Sequence, residues 1–117
     1  MNQRRGAQAE ALAEDWLSAQ GLNPIERNVH MAGGELDLVM RDGDTLVFVE
    51  VRHRAEDDWV PAVESISDSK RRRLVRTAQL YLAQLPEEWN GRFDILAIDG
   101  ALEQGEVTWL RDAFDAD

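Results

Sequence analysis

The 117-residue chain lacks cysteine altogether and contains few prolines and a single tyrosine. Without cysteine it has neither a disulfide framework nor a thiolate metal site, so redox chemistry and zinc ribbons are excluded. Its longest apolar run, at residues 45–49, is far shorter than the roughly 18 residues that a membrane helix needs. The N-terminus shows no apolar stretch resembling a signal peptide. We therefore expect a cytoplasmic protein that has no contact with a membrane.

Length and composition predict one globular domain over residues 1–117. Hydrophobic residues make up 44% of the chain and charged residues 31%, which is not the composition of a disordered protein. A chain of this size buries roughly two thirds of its unfolded surface around one core. A two-domain enzyme would need a longer chain.

Negative charge dominates the sequence, because 23 Asp and Glu face 13 Lys and Arg, for a net charge of −10. This balance argues against a protein that coats nucleic acid without specificity. Five of the positive charges nevertheless fall in the seven residues KRRRLVR, which include the only lysine of the chain. We define the basic patch as Lys70, Arg71, Arg72, Arg73 and Arg76. It is either a solvated helix face or a surface that contacts phosphate.

Periodicity predicts the order α-β-β-β-α-β-β, with helices over residues 7–20 and 67–85. We expect five strands. The first covers residues 23–30, and the second lies between the Gly33-Gly34 turn and the 42–44 turn. The other three cover residues 45–53, 92–99 and 106–110. A charged loop covers 54–66. Ser67 is a suitable N-cap for the second helix. The order is satisfied by an α/β fold in which two helices flank a central mixed sheet.

Glu50 does not fit a merely structural strand, because it follows the apolar run of the third strand. If the second and third strands form a hairpin, Asp37 and Glu50 come side by side on one face. Two adjacent carboxylates repel unless a cation lies between them, and a hard divalent ion would resolve the conflict. The alternative is a structural ion pair, either Glu50 with Arg52 or Asp37 with Arg41.

The stretch GGELDLVMRDGDTLVFVEVRHR at residues 33–54 resembles the Asp-x(n)-Glu-x-Lys core of the PD-(D/E)XK nuclease superfamily. Asp37, Glu50 and Arg52 stand at the motif positions. The segments RRGAQAEALAEDWLSAQGLNPIERN, KRRRLVRTAQLYL and RFDILAID resemble the YraN family of small bacterial proteins, which are similar in outline to archaeal Holliday-junction resolvases. The likeness covers almost the whole chain and implies a restriction endonuclease-like fold.

This resemblance implies a metal-dependent nuclease. Asp37, Glu50 and the carbonyl of Val51 would bind Mg²⁺ or Mn²⁺, and Glu10, placed in a Gly-x-x-x-Glu arrangement, would be an auxiliary acid at the edge of the site. Glu35 would add an outer contact. For Glu10, and more so for Glu14, the alternative is an ordinary solvent-facing glutamate near a helix start.

Arg52 departs from the motif, which has lysine at this position. A guanidinium stays protonated, so general-base work by Arg52 is excluded, although it can still stabilise phosphate charge. Arg52 therefore reflects either a tolerant position in a lysine-poor chain or a nuclease that has lost activity and kept its fold. In a third alternative Lys70 reaches the site, although no sequence pattern sets that distance.

The expected substrate is structured or branched DNA, with the basic patch and the pair Arg4 and Arg5 contacting phosphate. The alternative function is a noncatalytic module that binds nucleic acid or protein. A homodimer is compatible with either function. Three further residues are weaker candidates. We expect packing or surface roles for His30 and His53, and either base stacking or core packing for Trp59.

Overall fold

The computed structural model describes residues 3–54 and 66–114, with side chains from residue 6 onward. Its elements are α1 (Gln3–Ala19), β1 (Asn23–Met31), β2 (Gly34–Asp42), β3 (Thr45–Arg54), α2 (Asp68–Ala83), β4 (Asn90–Asp99) and β5 (Glu106–Phe114). The predicted order of helices and strands is confirmed. Trp59 and most of the predicted 54–66 loop lie outside the described residues.

The helix boundaries differ from the predictions by one to four residues. α1 begins at Gln3 rather than at residue 7, because the helix extends upstream of the apolar stripe on which the prediction rested. α2 begins as predicted, with the Ser67 Oγ accepting the Lys70 N–H at 3.2 Å, but it ends before Pro86, at Ala83. Within the described part of the chain, neither helix is long and apolar enough to cross a membrane.

The five strands form one mixed sheet in the order β1-β2-β3-β4-β5. Neighbouring strands are antiparallel except β3 and β4, which are parallel. Because parallel strands need a crossover, α2 and the chain around it connect β3 to β4. The predicted mixed sheet is confirmed, with β3 at its centre.

A helix packs on each face of the sheet, which gives three layers. On one face Leu17 of α1 belongs to a buried cluster with Val47 and Val49. On the opposite face Tyr81 of α2 packs with Phe48, whose ring it meets edge-on at 5.9 Å. Since successive residues of a strand point to opposite faces, β3 must be apolar on both. This explains the continuous apolar run that precedes Glu50.

A buried polar network, not foreseen from the sequence, joins β4 and β5 to the β2–β3 hairpin. Asp94 is fully buried and its carboxylate accepts four hydrogen bonds, two of them from Arg92 at 2.9 and 3.0 Å. Trp109 Nε1 donates at 3.0 Å and the Asp112 N–H at 2.9 Å. Arg92 also donates to Asp42 at 2.9 Å. The network contacts β5 at Trp109 and Asp112, so the strand is held beyond residue 110, where the prediction ended it, and runs to Phe114.

We predict that Asp94→Ala lowers the free energy of unfolding by about 3 kcal/mol or more, because it leaves Arg92, Trp109 and a backbone N–H without their buried acceptor. Urea unfolding followed by circular dichroism would measure the loss. Glu103→Ala, which removes an exposed carboxylate, is the control and should change stability by less than about 0.5 kcal/mol. Equal stability of the two variants would contradict the structural role of the network.

Candidate active site

The candidate site lies at the end of the hairpin, where β2 and β3 stop pairing. Residue pairs run in register from Asp42 and Thr45 up to Leu38 and Val49. Beyond that pair the Asp37 side chain takes over from the β2 backbone, and its Oδ2 accepts the Val51 N–H at 3.0 Å. The carboxylate of Asp37 is therefore held between the two strands by a backbone donor.

Asp37 and Glu50 lie side by side, as the hairpin register predicts, and are close enough to share a hydrogen bond. Glu50 is only 4% exposed. Burial raises the pKa of Glu50 to about 8, and the negative charge of Asp37 contributes to this rise. The Lys70 ammonium acts in the opposite direction and favours the ionised form of Glu50.

Two cations flank Glu50, and both approach the same carboxylate oxygen. Lys70 Nζ lies 3.1 Å from Glu50 Oε2, and Arg52 Nη1 lies 3.7 Å from it. The predicted ion pair of Glu50 with Arg52 is thus present, but Lys70 forms the shorter one. The predicted ion pair of Asp37 with Arg41 is wrong, because the Arg41 side chain donates to the Gly43 carbonyl at the other end of the hairpin.

Glu10 enters the site from α1. Burial raises the pKa of Glu10 to about 7, with a further upward contribution from the charge of Asp37, while a hydrogen bond from the Asn28 side chain opposes the rise. Asn28 adopts the left-handed backbone conformation, with φ of 55°, which asparagine tolerates better than most residues. Among the described residues, the buried Glu10 Oε1 has no hydrogen-bond partner. An oxygen in this state can accept a proton or ligate a cation.

These groups surround one cavity of about 330 Å³. Its walls come from α1, β2, β3 and α2, and they are formed by Gly6, Ala9, Glu10, Asp37, Glu50, Val51, Arg52, His53 and Lys70. Residues from four separate elements therefore meet at one end of the sheet. The cavity provides three carboxylates and at least two cations to a molecule bound within it.

The interpretation of Lys70 changes most between sequence and structure. Its place in the basic patch predicts a surface contact with phosphate, yet its ammonium lies inside the candidate site beside Glu50. The sequence does carry one relevant signal, because Lys70 flanks the apolar stripe in the first turn of its helix. The distance could not be predicted, since it depends on how α2 is seated on the sheet.

Several other predicted candidates lie apart from the carboxylate pair. Glu35 is exposed and lies 3.3 Å from His30, and its negative charge contributes to the raised pKa of Glu10, so the outer contact expected of it stays a prediction. Glu14 pairs with Arg27 at 3.5 Å, as expected for a structural glutamate. His53 lines the cavity, but its Nε2 donates to the Gly100 carbonyl at 2.7 Å, which is a packing role.

The basic patch separates into two parts along α2. Arg72, Arg73 and Arg76 are exposed, as the helical periodicity predicts. Arg71 is partly buried, and its guanidinium lies 5.4 Å from the ring centre of Phe114, which reduces its availability for phosphate. Arg4 and Arg5 lie in the first turns of α1. Phosphate contact by any of these residues stays a prediction.

The donor set suits a hard cation, although in residues 3–54 and 66–114 no group of three or more His, Cys, Asp or Glu is arranged to hold a metal ion. The carboxylates are engaged with protein groups instead, Glu50 with Lys70 and Asp37 with the Val51 N–H. Mg²⁺ usually takes only one or two carboxylates and completes its shell with water and phosphate oxygens. Asp37 and Glu50, with the orphaned Glu10 oxygen nearby, fit that requirement.

The fold and site together define a small α/β protein with an acidic cluster at the end of its central strand. Residues 9–98 match the model of the uncharacterised protein family UPF0102. A UPF0102 protein of Cupriavidus taiwanensis is 50% identical over 98% of this chain and 86% of its own length. The UPF0102 protein of Stutzerimonas stutzeri is 45% identical over 98% of this chain and 98% of its own length. That of Chromohalobacter salexigens is 42% identical over 98% of this chain and 94% of its own length. The chain therefore belongs to the UPF0102 family, in agreement with its YraN-like sequence features.

We predict that stability falls as the pH rises from about 4.5 to about 8. The folded state holds the Glu50 proton through this range while the unfolded chain has lost it, so deprotonation favours unfolding. Glu50→Gln removes the contribution of Glu50 to this dependence, while Glu10, whose pKa is also raised, keeps its own. The loss of unfolding free energy between pH 5 and pH 8.5 should be smaller in the variant by an amount on the order of 3 kcal/mol. Urea unfolding at both pH values would measure it, and parallel pH profiles of the two proteins would contradict the prediction.

Proposed function

We propose that this protein is a metal-dependent nuclease that hydrolyses phosphodiester bonds in structured or branched DNA. The observation that carries the proposal is the pairing of the buried Glu50 with the partly buried Asp37, which lie where β2 and β3 stop pairing and face a cavity. A buried, repelling pair of carboxylates costs stability, and such pairs are concentrated at functional sites. The resemblance of residues 33–54 to the PD-(D/E)XK core supports the same chemistry.

Asp37 and Glu50 would be the carboxylate ligands of Mg²⁺ or Mn²⁺. The bound ion lowers the pKa of an attacking water and neutralises charge that develops on the phosphate. The hydrogen bond that the Val51 N–H donates to Asp37 Oδ2 orients that carboxylate beside Glu50. Ligation by the Val51 carbonyl is part of the proposal and rests on the resemblance.

Glu10 would handle a proton at the edge of the site. With a pKa of about 7 it is partly protonated at neutral pH, which is the condition under which a carboxyl group both accepts and releases a proton readily. Arg52, which stays protonated, would stabilise phosphate charge.

The exposed arginines of α2 would bind the DNA backbone next to the cut. Arg72, Arg73 and Arg76 follow directly after Lys70 on a helix that starts at the cavity. The net charge of −10 opposes binding to random duplex, so affinity depends on substrates that bring several phosphates to this one face. This favours branched DNA, in which strands converge, over linear DNA.

We predict that Arg76→Gln weakens binding to a DNA junction and lowers the slope of log affinity against log salt by about 1, because one phosphate contact is lost. Fluorescence anisotropy in Ca²⁺ at several salt concentrations would measure both quantities. Arg111→Gln, which removes an exposed arginine on the edge strand β5, is the control and should leave the slope unchanged. Equal slopes for wild type and Arg76→Gln would remove this arginine from the interface.

We predict that Glu50→Ala abolishes cleavage of a panel of junction, flap, single-stranded and duplex DNA in Mg²⁺ or Mn²⁺. It removes a ligand from the pair on which the reaction depends. Glu88→Ala removes an exposed glutamate in the segment between α2 and β4 and should cleave at the wild-type rate. If the wild type cleaves none of the panel and calorimetry detects no Mn²⁺ binding, the nuclease proposal fails and a noncatalytic binding module becomes the better interpretation.

A further inference from the structure

We propose that Lys70, rather than Arg52, is the cation of this site that contacts the substrate phosphate and the attacking water. This inference rests on the proposed nuclease function. Its basis is the convergence of two cations from different elements on Glu50 Oε2, with the Lys70 ammonium nearer, at 3.1 Å against 3.7 Å. Lys70 is also the only lysine in a chain that otherwise uses arginine.

The start of α2 fixes the backbone position of Lys70, while the lysine side chain can still change its conformation. Ser67 caps the helix, accepting the Lys70 N–H on its side chain and the Arg71 N–H on its carbonyl, at 3.2 and 3.0 Å. One turn further on, Leu74 is buried against the sheet. The Lys70 side chain is 36% exposed and lines the cavity. A four-carbon stem then lets the ammonium move between Glu50 and a bound molecule.

The chemistry of the two cations also favours Lys70. An ammonium has three N–H donors, and the contact with Glu50 uses one of them, so the group can hold a carboxylate oxygen and a phosphate oxygen at once. A guanidinium is longer and planar, and it holds its donors in a fixed fork. The Lys70 ammonium is compact and lies nearer to Glu50 than the Arg52 guanidinium does. It is therefore better suited to contact a phosphate oxygen or a water molecule.

Lys70 and a divalent ion both act as cations toward Glu50. In the protein alone the Lys70 ammonium partly neutralises the buried Glu50 carboxylate. A metal ion would have to bind to that same carboxylate. Removing the ammonium should therefore leave metal affinity intact or increase it, while cleavage falls. A residue that merely held the site together would instead lower both quantities when replaced.

The test compares wild type with Lys70→Gln and with Lys70→Arg, which keeps the charge and loses the compact ammonium. We expect Lys70→Gln to bind Mn²⁺ at least as tightly as wild type in calorimetry, and to cleave at least about 100-fold more slowly at saturating Mn²⁺. Lys70→Arg should lose at least about tenfold. Arg111→Gln, a charge removed far from the cavity, should match wild type in both measurements.

A second variant moves the ammonium from α2 to β3. In the double variant Lys70→Gln with Arg52→Lys, a lysine again approaches Glu50 Oε2, so cleavage should recover at least tenfold over Lys70→Gln alone. Wild-type cleavage by Lys70→Gln, while Glu50→Ala is inactive, would overturn the Lys70 role and leave the nuclease proposal standing. So would parallel loss of Mn²⁺ binding and cleavage in Lys70→Gln. Failure of the wild type itself to bind Mn²⁺ and cleave would overturn both.

Discussion

The hydrogen bond from the Val51 N–H to Asp37 Oδ2 is the interaction on which the site depends. It replaces backbone pairing at the point where β2 and β3 separate, and so places a carboxylate where the pairing of the two backbones would otherwise continue. Glu50 is then forced beside Asp37, because alternation along β3 directs it to the same side. Since helices cover both faces of the sheet, water cannot fully solvate the pair, and nearby cations must compensate.

Two buried carboxylates in neighbouring strands show how differently such groups are used. Asp94 accepts four N–H donors and ties β4, β5 and the hairpin together, so it belongs to the scaffold. Glu50 faces a cavity, lies against another carboxylate and has the long side chains of Lys70 and Arg52 as its positive partners. The raised pKa of Glu50 expresses this incomplete compensation, which is the condition that a metal ion or a proton would relieve.

The three-layer arrangement makes the cluster possible. α1 covers one face and contributes Glu10, α2 covers the other and contributes Lys70, and both helices reach the same end of the sheet. The parallel pairing of β3 with β4 requires a crossover, and this crossover brings the start of α2 to the end of β3. Topology, rather than proximity in the chain, therefore brings the only lysine to the carboxylate pair.

The residue type of Ser67 indicated the helix cap, and the expected hairpin allowed Asp37 and Glu50 to lie side by side. Periodicity determined the order of the elements, because helices and strands repeat every 3.6 and two residues. It also separated Lys70 from the exposed Arg72, Arg73 and Arg76. Only the tertiary structure decided that Lys70 lies 3.1 Å from Glu50 and that Asp94 organises β5. Those distances depend on how whole elements pack against one another, and a repeat within one element carries no information about its separation from the next.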